Sequence, residues 1–281
     1  MTPDIVAQLA EDAARRFLRY VTFDTQSDAD SESYPSTAKQ LELLRALHDE
    51  LTELGLEEVR IDDHGYVTGT LRATVERDVP TVAFFAHVDT AREVSGAGVK
   101  PNRFRYEGGD IPLGSSGSTI RPEESPQLEQ QVGHELSTTD GTTLLGADDK
   151  AGIAEIMAAA AYLVAHPELE RGAVKVAFNP DEEIGRGVVH FPVDTFGAVA
   201  AYTVDGSTAG EVQSETFSGA QVRMRVHGRA IHPGWAKDEM VNAIRRVQRI
   251  RSGCEASRSG MVNMMSAIAK QQIVTQVRRS Q

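Results

Sequence analysis

The sequence predicts an α/β protein in which a mostly parallel sheet is flanked by helices, followed by the start of a smaller α+β lid domain. Three observations lead to this prediction. Apolar runs typical of buried strands alternate with stretches of helical periodicity. Acidic residues or histidine follow the ends of several of these strands. Beyond Gly210 the pattern changes to the alternation of an antiparallel strand, as in residues 222–226.

The first part of the chain contributes two helices and three strands to this prediction. Apolar residues recur at helical spacing over residues 5–20 and again over residues 41–54. Residues 59–61 and 66–71 predict short strands around a turn, and residues 81–86 form a compact apolar run typical of a buried strand. We therefore expect the polar side chains that follow this buried strand to lie at an edge of the sheet.

Two more strands follow a long stretch of weak periodicity. Residues 91–140 are rich in Gly, Ser and Pro, which predicts a structured insertion beside a site rather than a simple connector. A helix is predicted at about residues 152–165, with strands at residues 173–178 and 198–204. Open α/β sheets bind ligands at the carboxyl ends of their parallel strands. The candidate site is therefore expected where these strands end.

The composition is that of an ordinary globular protein, and it excludes several classes of function. Of the 281 residues, 40% are apolar, and the formal net charge is −12. A surface that binds nucleic acid needs clustered Lys and Arg, so this balance argues against a nucleic-acid partner. The longest apolar helix candidate, residues 151–165, is well below the ~20 apolar residues that span a bilayer. The sequence therefore predicts no nucleic-acid partner and no membrane partner.

The cysteine content and the first residues indicate a reducing compartment. Cys254 is the single cysteine, which excludes an intrachain disulfide and a cysteine-based zinc site. A metal here would need His and carboxylate ligands. The first helix carries Asp4, Glu11 and Asp12, whereas a signal peptide has a basic start and an uninterrupted apolar stretch. We therefore expect a cytoplasmic protein.

His87 and Asp89, which follow the apolar run at residues 81–86, suit a metal ligand and its orienting partner. Side chains two residues apart in an extended segment point to the same face. A metal-binding histidine usually donates its other ring N–H to a carboxylate, which fixes the tautomer. His-x-Asp often occurs by chance, so this pair alone is a weak signal.

Two adjacent acidic pairs and one further carboxylate complete the candidate set. Asp148 and Asp149 begin a helix, where they could equally cap its N-terminus. Glu182 and Glu183 follow a strand, so one could bind metal while the other takes a proton, although such pairs are usually solvated. Asp205 could simply begin a turn. Their convergence at successive strand and helix ends predicts ligands for two Zn²⁺ ions ~3.5–4 Å apart.

Six segments of the sequence stand together in an order and spacing that are specific to one family. They are RFLRYVTFDTQS (16–27), FFAHVDT (84–90), TTDGTTLLGADDKAGIAEIM (138–157), FNPDEEIGRG (178–187), YTVDG (202–206) and HPGWAKDEMVNA (232–243). The chain resembles the peptidase T family of dizinc aminopeptidases from about the first helix to Ala243. The resemblance implies an enzyme that releases the N-terminal residue from tripeptides.

The resemblance also implies a set of metal ligands. His87 and Asp205 would bind one zinc ion, Glu183 would bind the second, and Asp148 would bridge the two. The cofactor is therefore expected to be two Zn²⁺ ions. The peptide bond between Asp148 and Asp149 is expected to be cis, as in the family.

Three further roles follow from the resemblance. Glu182 would be the general base, and Asp89 would orient His87. His232, in the HPG turn of the lid, would help to hold the substrate or polarise its carbonyl. The expected partners are short peptides and, through the lid, a second copy of the chain.

The resemblance divides the chain into three predicted parts. Residues 1–210 would form the catalytic domain, and residues 211–243 would begin the lid or dimerisation domain. Residues 244–281 carry eight basic residues and one acid, and no histidine follows His232 to supply the last ligand of the second zinc. We expect this basic tail to come from a frameshift or an early end in the encoding gene, with a genuine variant C-terminus as the alternative. The missing histidine would weaken the second zinc site.

Two alternative functions stay open at the level of sequence. One is a related dizinc enzyme, such as a deacylase of acylated amino acids or a carboxypeptidase. The insertion around GGDIPLG (108–114) and the DEEIGRG motif favour the peptidase T family instead. The other is a catalytically dead chain that binds a peptide or a partner subunit.

Overall fold

The computed structural model describes residues 2–114, 116–206, 210–214 and 226–255, and the chain divides into two units after Val212. The first unit is built on a five-stranded sheet with helices packed against it. The α/β fold class predicted from the sequence is therefore confirmed. The predicted domain limits at residues 210 and 243 stay predictions.

The helices and strands of the first unit follow the predicted order closely. The helices are α1 (Pro3–Tyr20), α2 (Gln40–Glu53), α3 (Ala147–Ala165) and α4 (Val193–Phe196). The strands are β1 (Glu57–Ile61), β2 (Val67–Leu71), β3 (Val82–His87), β4 (Asn102–Arg105), β5 (Ile111–Leu113), β6 (Ser118–Ile120), β7 (Glu135–Thr138), β8 (Val174–Asn179) and β9 (Ala200–Thr203).

The order of strands in the main sheet is β1-β2-β8-β3-β9. Strand β3 lies at its parallel centre, with β8 on one side and β9 on the other. The carboxyl ends of these three strands consequently meet at one edge. Strands β2 and β1 extend the sheet beyond β8 in antiparallel orientation. All three strands that precede predicted site residues are thus neighbours.

The two faces of the sheet are covered by different helices. Alternate side chains of β8 divide between them, because Val176 and Phe178 join one apolar cluster while Ala177 joins another. The larger cluster contains buried residues of α1, α2 and α3, whereas the smaller one contains Phe196 of α4. The helices that hold the sheet therefore also fix the N-terminus of α3 beside the ends of the central strands.

The insertion at residues 91–140 forms small antiparallel pairs rather than part of the main sheet. Strand β4 pairs with β7, and β5 pairs with β6. The β5–β6 pair lies between β4 and β7 in sequence, and a 3₁₀ helix at Pro126–Gln131 follows β6. A structured insertion was the prediction, although its short strands had no readable periodicity.

The second unit is described only in part. Its described residues include a backbone bridge between Arg229 and Val241, a 3₁₀ helix at Pro233–Trp235 and the helix α5 (Ala243–Glu255). Of the alternating strand predicted at residues 222–226, only Val226 is among the described residues. The predicted basic tail also lies outside them beyond α5. Within the described part of the chain, no helix has the length and apolar character needed to cross a membrane.

Candidate metal centre

The ring of His87 stands at the carboxyl end of β3 and is held from behind by Asp89. Its Nδ1 atom lies 3.3 Å from Oδ1 of Asp89 and 3.0 Å from the carbonyl oxygen of the same residue. Both side chains are buried. A proton on Nδ1 is therefore well accepted, which leaves the lone pair of Nε2 for a ligand. Nε2 faces oxygens of Asp148 at 2.9 Å, Glu182 at 3.9 Å and Asp205 at 3.9 Å.

The two aspartates at the start of α3 point in different directions. Their backbone angles are not helical, and the peptide bond between Asp148 and Asp149 is cis, as the resemblance implies. The side chain of Asp149 is buried, and its Oδ2 accepts a hydrogen bond of 3.1 Å from the backbone N–H of His87. The side chain of Asp148 is exposed and lies against the His87 ring. The pair therefore contacts His87 from two sides.

Gly152 brings the beginning of α3 close to the end of β9. A Cβ atom at this position would overlap the carbonyl oxygen of Val204 and the carboxylate of Asp149. Only glycine leaves room for both groups. The residue after Val204 is Asp205, so this close approach brings a third strand end to the site.

The loop after β8 is tied to the same carboxylate that holds His87. The backbone N–H of Glu182 donates to Oδ1 of Asp89 at 2.9 Å, and the N–H of Glu183 donates to Oδ2 at 3.2 Å. Asp89 thus contacts the histidine ring and two consecutive amide groups. It fixes the Glu182–Glu183 turn relative to His87.

These side chains form two sets of potential metal ligands. The ligand atoms of His87, Asp149 and Asp205 lie within 4.8 Å of one another, and so do those of His87, Asp148 and Glu183. An imidazole nitrogen surrounded by carboxylate oxygens is a donor set that suits zinc and related divalent cations. The residues present therefore fit a metal ion.

The electrostatics of the site also favour a cation. Burial raises the pKa of Asp149 to about 8 and that of Glu183 to about 7, although the charge of His87 opposes both shifts. Burial also raises the pKa of Glu182 and of Asp205, again opposed by His87. The pKa of Asp148 is instead lowered by its hydrogen bond to His87, so burial and neighbouring carboxylates, not the imidazole, make the other four acids hold their protons more tightly. A divalent cation in their midst would compensate this negative charge.

The structure brings six of the seven predicted site residues together at one sheet edge. The six are His87, Asp89, Asp148, Glu182, Glu183 and Asp205. His232 belongs to the second unit, where its Nδ1 accepts a hydrogen bond of 3.2 Å from the N–H of Gly234. Its predicted contact with substrate stays a prediction.

Sequence reasoning missed one member of this cluster. The family resemblance assigns no role to Asp149, yet the structure buries its carboxylate against the backbone of His87. The signal available in the sequence was Gly152, three residues later in a helix otherwise rich in alanine. A glycine inside a helix costs stability relative to alanine and so indicates a close contact.

Two known proteins are similar to this chain over most of its length. It is 53% identical over 242 residues to peptidase T of Shouchella clausii (strain KSM-K16), which covers 86% of this chain and 59% of that protein. It is 51% identical over 237 residues to peptidase T of Bacillus pumilus (strain SAFR-032), which covers 84% and 58% respectively. This chain is therefore similar to peptidase T over most of its own length. It spans less than two thirds of the length of these relatives.

A solved aminopeptidase structure shares the fold. The aminopeptidase PepT from Bacillus cereus ATCC 10987 superposes with a TM-score of 0.51 at 23% identity, covering 85% of this chain and 55% of that one. The peptidase dimerisation domain family matches residues 214–270. This match runs past residue 243, where the peptidase T pattern was expected to end.

Proposed function

We propose that the chain is a zinc-dependent aminopeptidase that releases the N-terminal residue from tripeptides. The observation that carries the proposal is the convergence of three acidic side chains on the outward nitrogen of His87. Asp148, Glu182 and Asp205 each place a carboxylate oxygen within 3.9 Å of Nε2. All of these residues lie in the region that is similar to peptidase T of Shouchella clausii and Bacillus pumilus.

The proposed metal ligands are those that the family resemblance implies. His87 and Asp205 would hold one zinc ion, Asp148 would bridge, and Glu183 would hold the second ion. The short distances within the two ligand sets support this assignment. Asp149 lies within reach of the first set and is a further candidate. When bound, zinc would act as a Lewis acid on the scissile carbonyl.

Glu182 is proposed as the general base. Its carboxylate lies beside the ligand cluster but also extends toward solvent, where a substrate can reach it. Burial raises its pKa above the usual value, which makes it a stronger base. Glu182 would take a proton from the attacking water and return it to the leaving amine. Asp89 would hold both His87 and the amide groups of the Glu182–Glu183 turn in place.

The proposal extends to the second unit and to the setting of the protein. His232 would help to hold the substrate or polarise its carbonyl. The match to the peptidase dimerisation domain supports a homodimer formed through this unit. Short peptides would be the substrates, and the cytoplasm is the proposed location.

The decisive experiment compares the wild-type chain with Glu182→Gln after loading with zinc. We expect the variant to retain zinc while tripeptide turnover falls by about 10²–10⁴-fold, because the contribution of a general base is of that size. Glu42→Gln, an exposed acid on α2, is the matched control and should hydrolyse tripeptides at the wild-type rate. Unchanged turnover in Glu182→Gln would show that Glu182 is not the general base.

A substrate comparison separates the proposed activity from its rivals. Tripeptides and acylated amino acids should be offered to the same zinc-loaded protein. Faster release of amino acid from tripeptides supports an aminopeptidase, whereas hydrolysis of acylated amino acids alone supports a related deacylase. Peptide binding without any hydrolysis would favour a catalytically dead binding protein.

A further inference from the structure

Asp181, directly before the two glutamates, is a buried carboxylate to which neither the sequence motifs nor the proposed chemistry assigns a role. It is fully buried. Its Oδ2 accepts a hydrogen bond of 2.7 Å from the backbone N–H of Ser36, and its Oδ1 accepts from the hydroxyl of Ser36 and, at 2.7 Å, from the amide nitrogen of Gln40. Three donors thus surround one charged group. A buried charge is tolerated only when it is compensated in this way.

Gln40 forms a second hydrogen bond to the same residue. Its side-chain oxygen accepts a hydrogen bond of 3.1 Å from the backbone N–H of Asp181. The Gln40 amide therefore pairs with both the main chain and the side chain of Asp181, in a fixed two-point contact. Gln40 is the first residue of α2 and is also fully buried. The loop after β8 is consequently anchored to the start of a core helix.

The backbone at Asp181 shows why such an anchor is needed. Asp181 has a φ of 60°, a left-handed conformation that is uncommon for residues other than glycine. The chain then turns tightly, with the N–H of Gly185 bonded to the carbonyl of Glu182 at 2.7 Å and that of Arg186 to the carbonyl of Asp181 at 2.9 Å. A strained conformation persists where its surroundings determine it. Here the surroundings are Ser36 and Gln40.

The turn fixed in this way carries the Glu182 and Glu183 side chains. On the side of β3, Asp89 accepts hydrogen bonds from the N–H groups of both glutamates. On the side of α2, Ser36 and Gln40 hold the residue just before them. The two carboxylates, Asp89 and Asp181, therefore clamp this short stretch of main chain from opposite elements of the fold.

We propose that Asp181, Ser36 and Gln40 form a positioning network that aims the Glu182 and Glu183 carboxylates at the metal centre from the start of α2. The inference rests on the proposed function of that centre. In the part of the chain that the structure describes, no hydrogen bond or ion pair joins these three side chains to the ligand side chains, so each acts through the main chain of the glutamate turn. Loss of the network should leave the core intact and lower the affinity for zinc.

The test measures zinc binding by the full chain, using Zn²⁺ and a competing chelator, with tripeptide kinetics as a second readout. Asp181→Asn keeps the size of the side chain but presents an amide N–H₂ to one of its donors. We expect its zinc affinity to fall by about 10–100-fold, as for other residues that orient metal ligands. Ser36→Ala should show a smaller loss, and Ser36→Thr, which restores a hydroxyl, should recover it. If Asp181→Asn does not fold, the Ser36 pair decides.

A matched control separates positioning from simple stability. Leu47→Val removes one methylene from the buried face of the same helix, far in sequence from the turn. It should lower the melting temperature without changing zinc affinity. In the network variants, kcat should fall more than KM changes, because Glu182 would be misaligned while substrate contacts stay.

The outcomes distinguish this inference from the function on which it rests. Variants that melt at a lower temperature but bind zinc as wild type does would overturn the positioning network and leave the proposed function standing. A wild-type chain that binds zinc without hydrolysing tripeptides would overturn the proposed function, while the zinc affinities still test the network. A full chain that binds no zinc overturns both.

Discussion

The start of α3 and the loop after β8 each present two adjacent acidic residues to the same histidine, but they do so by different means. At the start of α3 the side chains differ in burial: Asp149 is buried against the main chain of His87, and Asp148 is exposed against its ring. In the loop after β8 the side chains of Glu182 and Glu183 are aimed through their backbone N–H groups.

The difference teaches how a fold can direct neighbouring carboxylates to one point. A helix N-terminus with a rigid kink fixes side chains through packing, so it depends on close contacts such as that at Gly152. The loop after β8 depends on hydrogen bonds instead: Asp89 accepts from the N–H groups of Glu182 and Glu183, and Asp181 is held through its side chain by Ser36 and Gln40. Substitutions that add bulk should therefore disturb the start of α3. Substitutions that remove a hydrogen bond should disturb the loop after β8.

The largest effect is expected from Gly152→Ala, which tests packing at the start of α3. The added methyl group would overlap Val204 and Asp149, so the helix must move away from β9. We expect a loss of about 1–3 kcal/mol in the free energy of unfolding, together with loss of zinc binding. Denaturant titration and zinc competition measure the two effects. Gly206→Ala is the control, because a Cβ there meets open space. Wild-type behaviour of Gly152→Ala would show that packing does not aim the aspartates.

The next largest effect is expected from Asp89→Asn, which weakens the hydrogen bonds that hold the glutamate loop, the segment after β8 that carries Glu182 and Glu183. The amide keeps one oxygen but cannot accept from both Glu182 and Glu183 while also facing Nδ1 of His87. We expect zinc affinity to fall by about 10–100-fold. Isothermal titration with Zn²⁺ measures the change. An affinity equal to that of the wild type would mean that the glutamate loop holds its shape without this carboxylate.

Sequence reasoning predicted the elements around the site and much of its composition. Because side chains alternate along an extended segment, His87 and Asp89 were predicted to lie on one face. The apolar runs predicted the three central strands. The antiparallel addition of β2 to β8 was not predicted, because pairing between distant segments leaves no local pattern. The small strands of the insertion were missed for a related reason: they are three or four residues long and lie in a Gly- and Ser-rich stretch.

The hydrogen bonds that orient the ligand side chains could not be predicted from the sequence, for a different physical reason. Ser36 and Asp181 are 145 residues apart in the chain, and their hydrogen bonds depend on how α2 packs beside the sheet. Asp149 reads as a helix cap in the sequence, because only the position of β3 shows that its carboxylate meets the N–H of His87. Spacing predicts which residue types converge, whereas tertiary packing decides which atoms touch.

A smaller effect is expected from pH, and it acts on both regions at once. Burial raises the pKa of Glu183 to about 7 and of Asp149 to about 8. Burial opposes protonation of His87, but hydrogen bonds to Asp148 and Asp89 raise its pKa to about 11. Zinc must displace these protons, so its affinity should fall as the pH falls. Protonation of Glu183 alone should lower the zinc affinity about tenfold between pH 8 and pH 6.

The same shifts set the sign of the stability change in the metal-free protein. Each of these groups has a folded-state pKa above its unfolded value, so its contribution to stability is present at low pH and is lost as the pH rises through the folded value. Metal-free protein should therefore melt at lower temperature at pH 8 than at pH 6, whereas zinc binding should strengthen over that range. Glu183→Gln should reduce both trends. Zinc affinity that is constant from pH 6 to pH 8 would contradict the assignment of Glu183.

The smallest effect is expected at the far end of the glutamate loop. Both terminal nitrogens of Arg186 donate to the carbonyl oxygen of Ser31 at 2.9 Å, and among the described residues the guanidinium forms no hydrogen bond or ion pair with the ligand cluster. Arg186→Met keeps the length of the side chain and removes these hydrogen bonds, which should cost about 0.5–1.5 kcal/mol of stability. Asp89 and Asp181 fix the loop nearer the glutamates. Zinc affinity should therefore change by less than about threefold, which is about 0.65 kcal/mol of binding free energy. A much larger loss of zinc affinity would mean that the loop is aimed along its whole length and not only by its two carboxylate anchors.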